Sequence, residues 1–509
     1  MTVQDGWRYI DSEFEENIEK HNETGTNSKV EKSDNNLRKT LKKVAEILTV
    51  EPLVGIYQLA ICLSKPALDN LELEKACRVN LRYNDTVCNA ILTGHHRRYS
   101  EENNNIQVII GKMHSWQQPV QSFMPLLLIL FLGSYSDRHK LRKPFFIIPI
   151  IGDLLGNIGC IFCVLNMTSW PIEVQGVFQK IVPSFFGTQS LLTMSTTAYV
   201  ADISSVESRT FRIGLTTLVI SVVVPVANAI SGILFLQIGY HGVLCLSSMM
   251  LVSALMYGML WVKESTNPQK NKKINLFADV LSPKHALDTF KIIFKKTQEL
   301  KNMRFLLLLV ILHRSAFDGE TNVLYLYVQN VFQWTPVDFT YFLTVNSTVT
   351  LIGNILGICL LVKILNAGDL IILFITVFTR ILSNLLYGLA TTPEIFYLGA
   401  FMSVVTKLYR IVKRSYATKI VSTDDIGKTQ SLLGIAEALA PALSVPVYNL
   451  LYMHTLKTFP ASIFFFSIII YFFCCLLILW MYLKNKNCIN KKIDRQGDYK
   501  TAVIETTHM

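Results

Sequence analysis

Lys407, Arg410 and Arg414 recur at i, i+3 and i+7 inside the otherwise apolar stretch "IFYLGAFMSVVTKLYRIVKRSYATK". In a continuous helix that spacing puts all three on one face, a stripe of donors suited to an organic anion. Counted from Ile395 at about 1.5 Å per residue, Lys407 lies roughly 18 Å along such a helix and Arg414 roughly 28 Å. Charged groups at those depths of a membrane usually line a wet cavity or pair with one another. The alternative is that long side chains snorkel to headgroups, a reading that suits Lys413 best and Lys407 least. Arg380, in "ITVFTRILSN", has no local partner and either joins this substrate-binding set or pairs across helices.

A second set of residues could carry a proton. His313, Arg314, Asp318 and Glu320 fall within one apolar segment, and Glu437 and Asp153 lie in two others. Arg314 and Asp318 are spaced i, i+4 and could pair. His313 and Glu320, seven apart, occupy another face and titrate usefully. The proton-coupling candidates are therefore His313, Asp318, Glu320, Glu437 and Asp153, although Asp153 could instead be satisfied by Asn157 one turn on. No Ser-His, metal-ligand or nucleotide-binding constellation appears, so neither enzymatic activity nor a cofactor or metal is expected.

A third group interrupts two long apolar runs. "LGSYSDRHKLRKPF" places Gly133, Asp137, Arg138, Arg142 and Lys143 in a short hairpin. A positive-inside loop explains the cations. It does not explain the embedded acid and glycine, which suit a latch: a carboxylate at a helix end is stabilised by a neighbouring helix N-terminus or cation. The basic residues can also meet anionic lipid headgroups.

The elements that must position these groups are membrane helices. The chain has 509 residues, 51% hydrophobic and 17% charged, with a mean hydropathy of +0.36. A soluble domain would carry about a quarter charged residues. A span needs roughly 20 apolar residues, which gives twelve expected spans near 49–68, 115–134, 145–165, 175–200, 212–238, 241–262, 305–329, 337–362, 369–390, 395–418, 429–453 and 459–483. The expected fold class is all-α membrane protein, twelve transmembrane helices in two pseudo-symmetric six-helix halves. The first 48 residues are polar and mixed in charge, so no secretory signal peptide is expected.

Ten cations between residues 263 and 304, against four acids, place the even-numbered loops and both termini in the cytosol. The net charge of +11 thus belongs to the cytosolic face and not to a nucleic-acid partner. The loop 69–105 is nearly balanced and faces outward. There Asn84-Asp85-Thr86 is an N-glycosylation sequon, and Cys77 and Cys88 are candidates for a disulfide. Most of the other cysteines, including the Cys160/Cys163 pair, lie in apolar runs and read as small hydrophobes.

An internal repeat supports a division at the basic segment. "AYVADISSVESRT" from Ala198 aligns with "SYATKIVSTDDIGKT" from Ser415, matching Tyr199 with Tyr416, Ser205 with Ser422, Glu207 with Asp424 and Arg209 with Lys428. The expected organisation is a cytosolic tail (1–48), a six-helix half (49–262), a basic linker (263–304), a second half (305–483) and a cytosolic tail (484–509). Two parallel halves of six spans are a transporter architecture.

The stretch "GSYSDRHKLRKP" resembles the charged loop motif of the major facilitator superfamily, although Lys140 or Leu141 stands where that motif has its second glycine. Together with "VEPLVGIYQLA", "YVADISSVESRTFRIG" and "RSYATKIVSTDDIGKTQS", it resembles the proton-coupled folate transporter family, solute carrier family 46, through both halves. The resemblance implies a gating role for Gly133, Asp137, Arg138, Arg142, Glu207 and Arg209, and substrate contact for Arg414. It also implies alternating access and polar organic substrates such as folates or muropeptide fragments. Members that carry folate have acids in spans four and five and a histidine in span seven. Thr188, Thr217 and Phe317 stand at those places here, which puts the same coupling groups in doubt.

The expected function is secondary active transport of a small anionic organic solute, with or without proton coupling. The alternative is a non-transporting membrane sensor or scaffold of the same fold. Expected partners are the solute, protons and the lipid bilayer. The expected home is the plasma membrane rather than an endolysosomal one.

Overall fold

The computed structural model describes residues 49–139, 141–204, 209–264, 298–365, 367–420 and 426–507. Among these residues every regular element is helical and there is no strand, as expected where hydrocarbon offers the backbone no hydrogen-bond partner. The main helices are α1 (Glu51–Lys75), α2 (Asp85–Leu92), α3 (Ser100–His139), α4 (Lys143–Leu165), α5 (Ile172–Gly176), α6 (Thr188–Ile203) and α7 (Arg209–Leu260). They are followed by α8 (Gln298–Phe332), α9 (Pro336–Gly357), α10 (Asp369–Leu389), α11 (Pro393–Met402), α12 (Leu408–Lys419), α13 (Ile426–Thr455) and α14 (Ser462–Thr507).

Among the described residues, six helical stretches are long and apolar enough to cross a membrane: Lys143–Leu165, Leu215–Leu260, Pro336–Leu361, Asp369–Leu389, Leu432–Thr455 and Ser462–Lys484. The second covers two expected spans, separated inside α7 by Gly239, whose φ of 62° and ψ of −168° leave the helical region. Glycine is the residue that adopts this without a Cβ penalty. Of the remaining expected spans, 175–200 and 395–418 are broken into helices too short to cross, with α6 at 16 residues, α11 at 10 and α12 at 12. The others carry polar groups: α8 alone holds Arg304, His313, Arg314, Asp318 and Glu320. The expected outward loop is also more helical than its polarity suggested, since α1 runs on to Lys75 and α3 begins at Ser100.

The described residues divide into two compact units, one drawn from residues 49–75 and 124–264, the other from residues 76–123 and 298–507. In the first, α1 packs along α7, and α4 packs between α6 and α7. Leu53, Val54, Tyr57, Phe146, Ile150, Leu192, Tyr199 and Leu251 form its core. Gly152, Gly156 and Gly159 line one face of α4 and admit the chain from Phe178 to Phe186: a Cβ at Gly159 would sit 2.1 Å from the Phe178 ring. Small residues at such spacing are how membrane helices approach closely.

In the second unit α8 packs on α13 and α14, and α10 packs on α11, α12 and α14. An aromatic core joins them, with ring centroids 4.4 Å apart for Tyr387 and Phe396 and 4.9 Å for Tyr327 and Phe464. The first part of α3 is bound to this unit by a buried amide network. Gln107 donates to Gln329 at 2.6 Å and to the Leu326 carbonyl at 3.0 Å, Tyr452 donates to Gln107 at 2.8 Å, and Gln329 donates to Asn103 at 3.1 Å. Cys77 and Cys88 form a disulfide with a Cα–Cα distance of 5.8 Å. Asn84 is exposed and immediately precedes α2.

One expected rod is interrupted. Between α11 and α12, residues 403–407 form turns in which Thr406 N–H bonds Ser403 O (3.1 Å) and Leu408 N–H bonds Val405 O (3.1 Å). The break fits against α9: a Cβ at Gly353 would lie 2.2 Å from Val404. Ser383 of α10 donates to the Gly399 carbonyl at 2.8 Å and so fixes the end of α11.

Candidate functional site

The second unit gathers the charged residues of α8, α10, α12 and α13. Lys407 does not share a continuous helix with Arg410 and Arg414 across its whole approach: it flanks α12 at the break, with φ −71° and ψ −17°. From there the stripe holds. Lys407, Arg410, Ile411 and Arg414 are exposed, whereas Leu408, Tyr409, Val412, Lys413 and Tyr416 are buried. Arg410 lies in the field of Arg314, Arg414, Asp318 and Glu437, so the exposed faces of α8, α12 and α13 adjoin.

Three carboxylates are already engaged. Arg314 pairs with Asp318 at 2.6 Å, at the i, i+4 spacing the sequence offers. Glu320 and Arg380 form an ion pair from α8 to α10, and both are nearly sealed, with 2% and 8% of their surface exposed. The absence of a local partner for Arg380 in the sequence is thus resolved across helices. Glu437 accepts from Lys413 at 2.6 Å and from Arg414 at 3.4 Å. The snorkelling reading of Lys413 is corrected here, because only 3% of it is exposed and its ammonium points into the unit toward Glu437.

His313 is enclosed rather than exposed. Its ring stacks on Tyr409 at a centroid distance of 3.6 Å and an interplanar angle of 9°, with Tyr471 edge-on at 5.4 Å. Tyr409 donates to the Leu309 carbonyl at 3.3 Å, and Lys413 lies 5.1 Å above the Tyr409 ring. Phe317 is flanked by the guanidinium groups of Arg314 (5.8 Å) and Arg380 (5.3 Å). Cations thus lie near ring faces at both places, Arg314 and Arg380 at Phe317 and Lys413 at Tyr409.

The first unit holds the remaining candidates. Asp153 accepts a 2.6 Å hydrogen bond from Tyr57, not from Asn157, which donates instead to the Leu244 carbonyl and to Ser248. Arg142 pairs with Asp202 at 2.8 Å and donates to Ser136 at 2.9 Å. The backbone N–H groups of Arg142 and Lys143, at the start of α4, donate to Glu264 at 2.6 and 3.2 Å, a carboxylate on a helix N-terminus. Gly133, Asp137 and Arg138 fall within α3 and Arg209 opens α7, but their side chains, like Glu207, lie outside the described residues.

Sequence reasoning missed Asp202, Glu264, Tyr57 and Tyr409. Asp202 stands in plain view within "YVADISS", and a carboxylate facing a loop arginine would have flagged it. Glu264 was hidden among the cations of the basic segment. Among the described residues no cluster of His, Cys, Asp or Glu could hold a metal.

The chain is similar to proteins of known family. The pattern of the Major Facilitator Superfamily matches residues 113–367. A Drosophila melanogaster protein named "Probable peptidoglycan muropeptide transporter SLC46" is 26% identical over 81% of either chain. A Gallus gallus protein named "Lysosomal proton-coupled steroid conjugate and bile acid symporter SLC46A3" is 23% identical over 87% of this chain and 95% of its own. The crystal structure of the human organic anion transporter MFSD10 superposes with a TM-score of 0.60 at 17% identity, covering 84% of this chain and 98% of that one. The curated relatives are thus members of solute carrier family 46 and transporters rather than enzymes. This chain is a multi-pass membrane protein and belongs to the Major Facilitator Superfamily.

Proposed function

We propose that the chain is a secondary active transporter of a small organic anion, working by alternating access between two six-helix halves and coupled to protons. The observation that carries this reading is the exposed cationic face of α12, Lys407, Arg410 and Arg414, in a membrane-embedded part of the fold. Three cations are not stable against hydrocarbon, so that face borders water, and water beside Lys407 and Arg410, which form no ion pair among the described residues, is a place for an anion. Relatives named for muropeptides and for steroid conjugates and bile acids support an organic solute of this kind.

Of the five coupling candidates, Glu437 is the best placed. It is partly exposed and holds two cations of the same stripe, whereas His313 is enclosed by tyrosines and Glu320 and Asp318 are matched by arginines. Asp153 is held by Tyr57. The gating role of the "GSYSDRHKLRKP" loop is supported by the Arg142–Asp202 and Glu264 contacts. An N-glycan at Asn84 and an outward position for the Cys77–Cys88 bridge belong to the same proposed topology. The expected plasma-membrane residence gains no support from the Gallus gallus relative, which is named lysosomal; surface biotinylation tests it.

The deciding experiment is uptake of taurocholate, folate and muramyl dipeptide into proteoliposomes with an imposed pH gradient, comparing the parent chain with Arg410→Gln. Gradient-dependent uptake of one of them that falls at least about tenfold in the variant, as loss of a charged contact predicts, supports the reading. Uptake of none of them, or uptake indifferent to Arg410, removes it and favours the sensor or scaffold.

A further inference from the structure

The charge balance of the α12 face restricts the solute further, on the footing of the anion-transport reading above. Six cations, Arg314, Arg380, Lys407, Arg410, Lys413 and Arg414, meet three carboxylates, Asp318, Glu320 and Glu437. The carboxylates are consumed by Arg314, by Arg380 and by Lys413 at 2.6 Å, with Arg414 a distant second claimant on Glu437 at 3.4 Å. Among the described residues, Lys407 and Arg410 form no ion pair within 4.0 Å. A single negative charge on the solute would leave at least one of these cations uncompensated once the bound solute displaces the water around it, which is costly.

The geometry also sets a spacing. Lys407 and Arg414 mark the ends of the stripe, about 10 Å apart along the axis at roughly 1.5 Å per residue. Ile411, 48% exposed, stands between Arg410 and Arg414 on the same face, and Phe401 and Met402, 52% and 40% exposed, lie beyond the break. Ile411 thus offers an apolar patch between the Lys407–Arg410 pair and Arg414. Arg414 can leave Glu437 for the solute without orphaning that carboxylate, because Lys413 keeps it.

We propose that the solute is an elongated organic dianion: one anionic group seated at Lys407 and Arg410, the other at Arg414, joined by an apolar body that covers Ile411. The test uses the full chain in lipid nanodiscs and measures binding by calorimetry of sebacate (a long straight-chain dicarboxylate), of its monomethyl ester and of succinate. Sebacate is expected to bind at least about tenfold more tightly than either of the others, the worth of one further charged contact. In Lys407→Gln the ratio between sebacate and its monoester should collapse to about one, and Lys407→Arg, which keeps the charge, should restore it. Equal affinity for diacid and monoester in the parent chain overturns the dianion while leaving an anion transporter standing. Saturable binding of none of the three overturns both.

Discussion

Glu437 accepts from Lys413 at 2.6 Å and from the adjacent Arg414 at 3.4 Å, so one carboxylate on α13 restrains two cations of α12 unequally. Neutralising it releases both. Arg410, Asp318 and Tyr409 also face it electrostatically, and none of them supplies a replacement anion for Arg414 while Asp318 remains paired with Arg314.

Anion uptake should therefore strengthen as the medium is acidified, because an anion seated at Arg414 draws that cation from Glu437 and weakens the field that keeps the carboxylate ionised, so a proton is taken up with the solute. Glu437→Gln mimics the protonated group. Its taurocholate uptake at neutral pH should match that of the parent chain under acid, and its pH profile should be flat. A variant profile that still rises under acid assigns coupling elsewhere.

The Glu320–Arg380 pair makes a different demand. Both residues are buried, so removing one partner leaves an uncompensated charge and should cost about 3–5 kcal/mol. Arg380→Met alone should lower the thermal midpoint in detergent sharply, whereas Glu320→Met with Arg380→Met should recover most of the loss. If the double variant also restores uptake, Arg380 holds α8 to α10 and does not touch the solute.

Gly353 leaves no room for a side chain. With Val404 2.2 Å from its would-be Cβ, Gly353→Leu must displace the turn between α11 and α12. A loss of about 1–3 kcal/mol or more is expected for such overpacking, read as lowered thermal stability, together with impaired uptake because Lys407 moves with the turn.

The Cys77–Cys88 bridge closes a loop with a sequence separation of 11. Cys88→Ser should destabilise the chain by about 2–4 kcal/mol, visible as a lower midpoint that added reductant no longer changes. Treatment of the parent chain with an N-glycosidase should shift its gel mobility, and Asn84→Gln should abolish that shift.

Much of this arrangement was readable in the sequence, for identifiable reasons. The Arg314–Asp318 pair follows from local spacing, which helix geometry dictates. The stripe on α12 was visible because three cations in an apolar run have few places to point. Pairings across helices were not visible: nothing in the chain order links Glu320 to Arg380, Asp153 to Tyr57, or Lys413 to Glu437. The break at residues 403–407 also escaped notice. "SVVTK" holds no proline or glycine, and the cause lies on α9 and α10, in Gly353, Gly357, Asn346 and Ser383.

That break has a mechanical consequence. With the end of α11 pinned by Ser383, and Ser403 bonded to Asn346 at 3.2 Å, the turn works like a swivel at the foot of α12. A few torsions at residues 403–407 are enough to re-aim the stripe, where a seamless rod would have to bend along its whole length. On the transport reading proposed above, loading and unloading then amount to tilting a short lever while its bearing stays still.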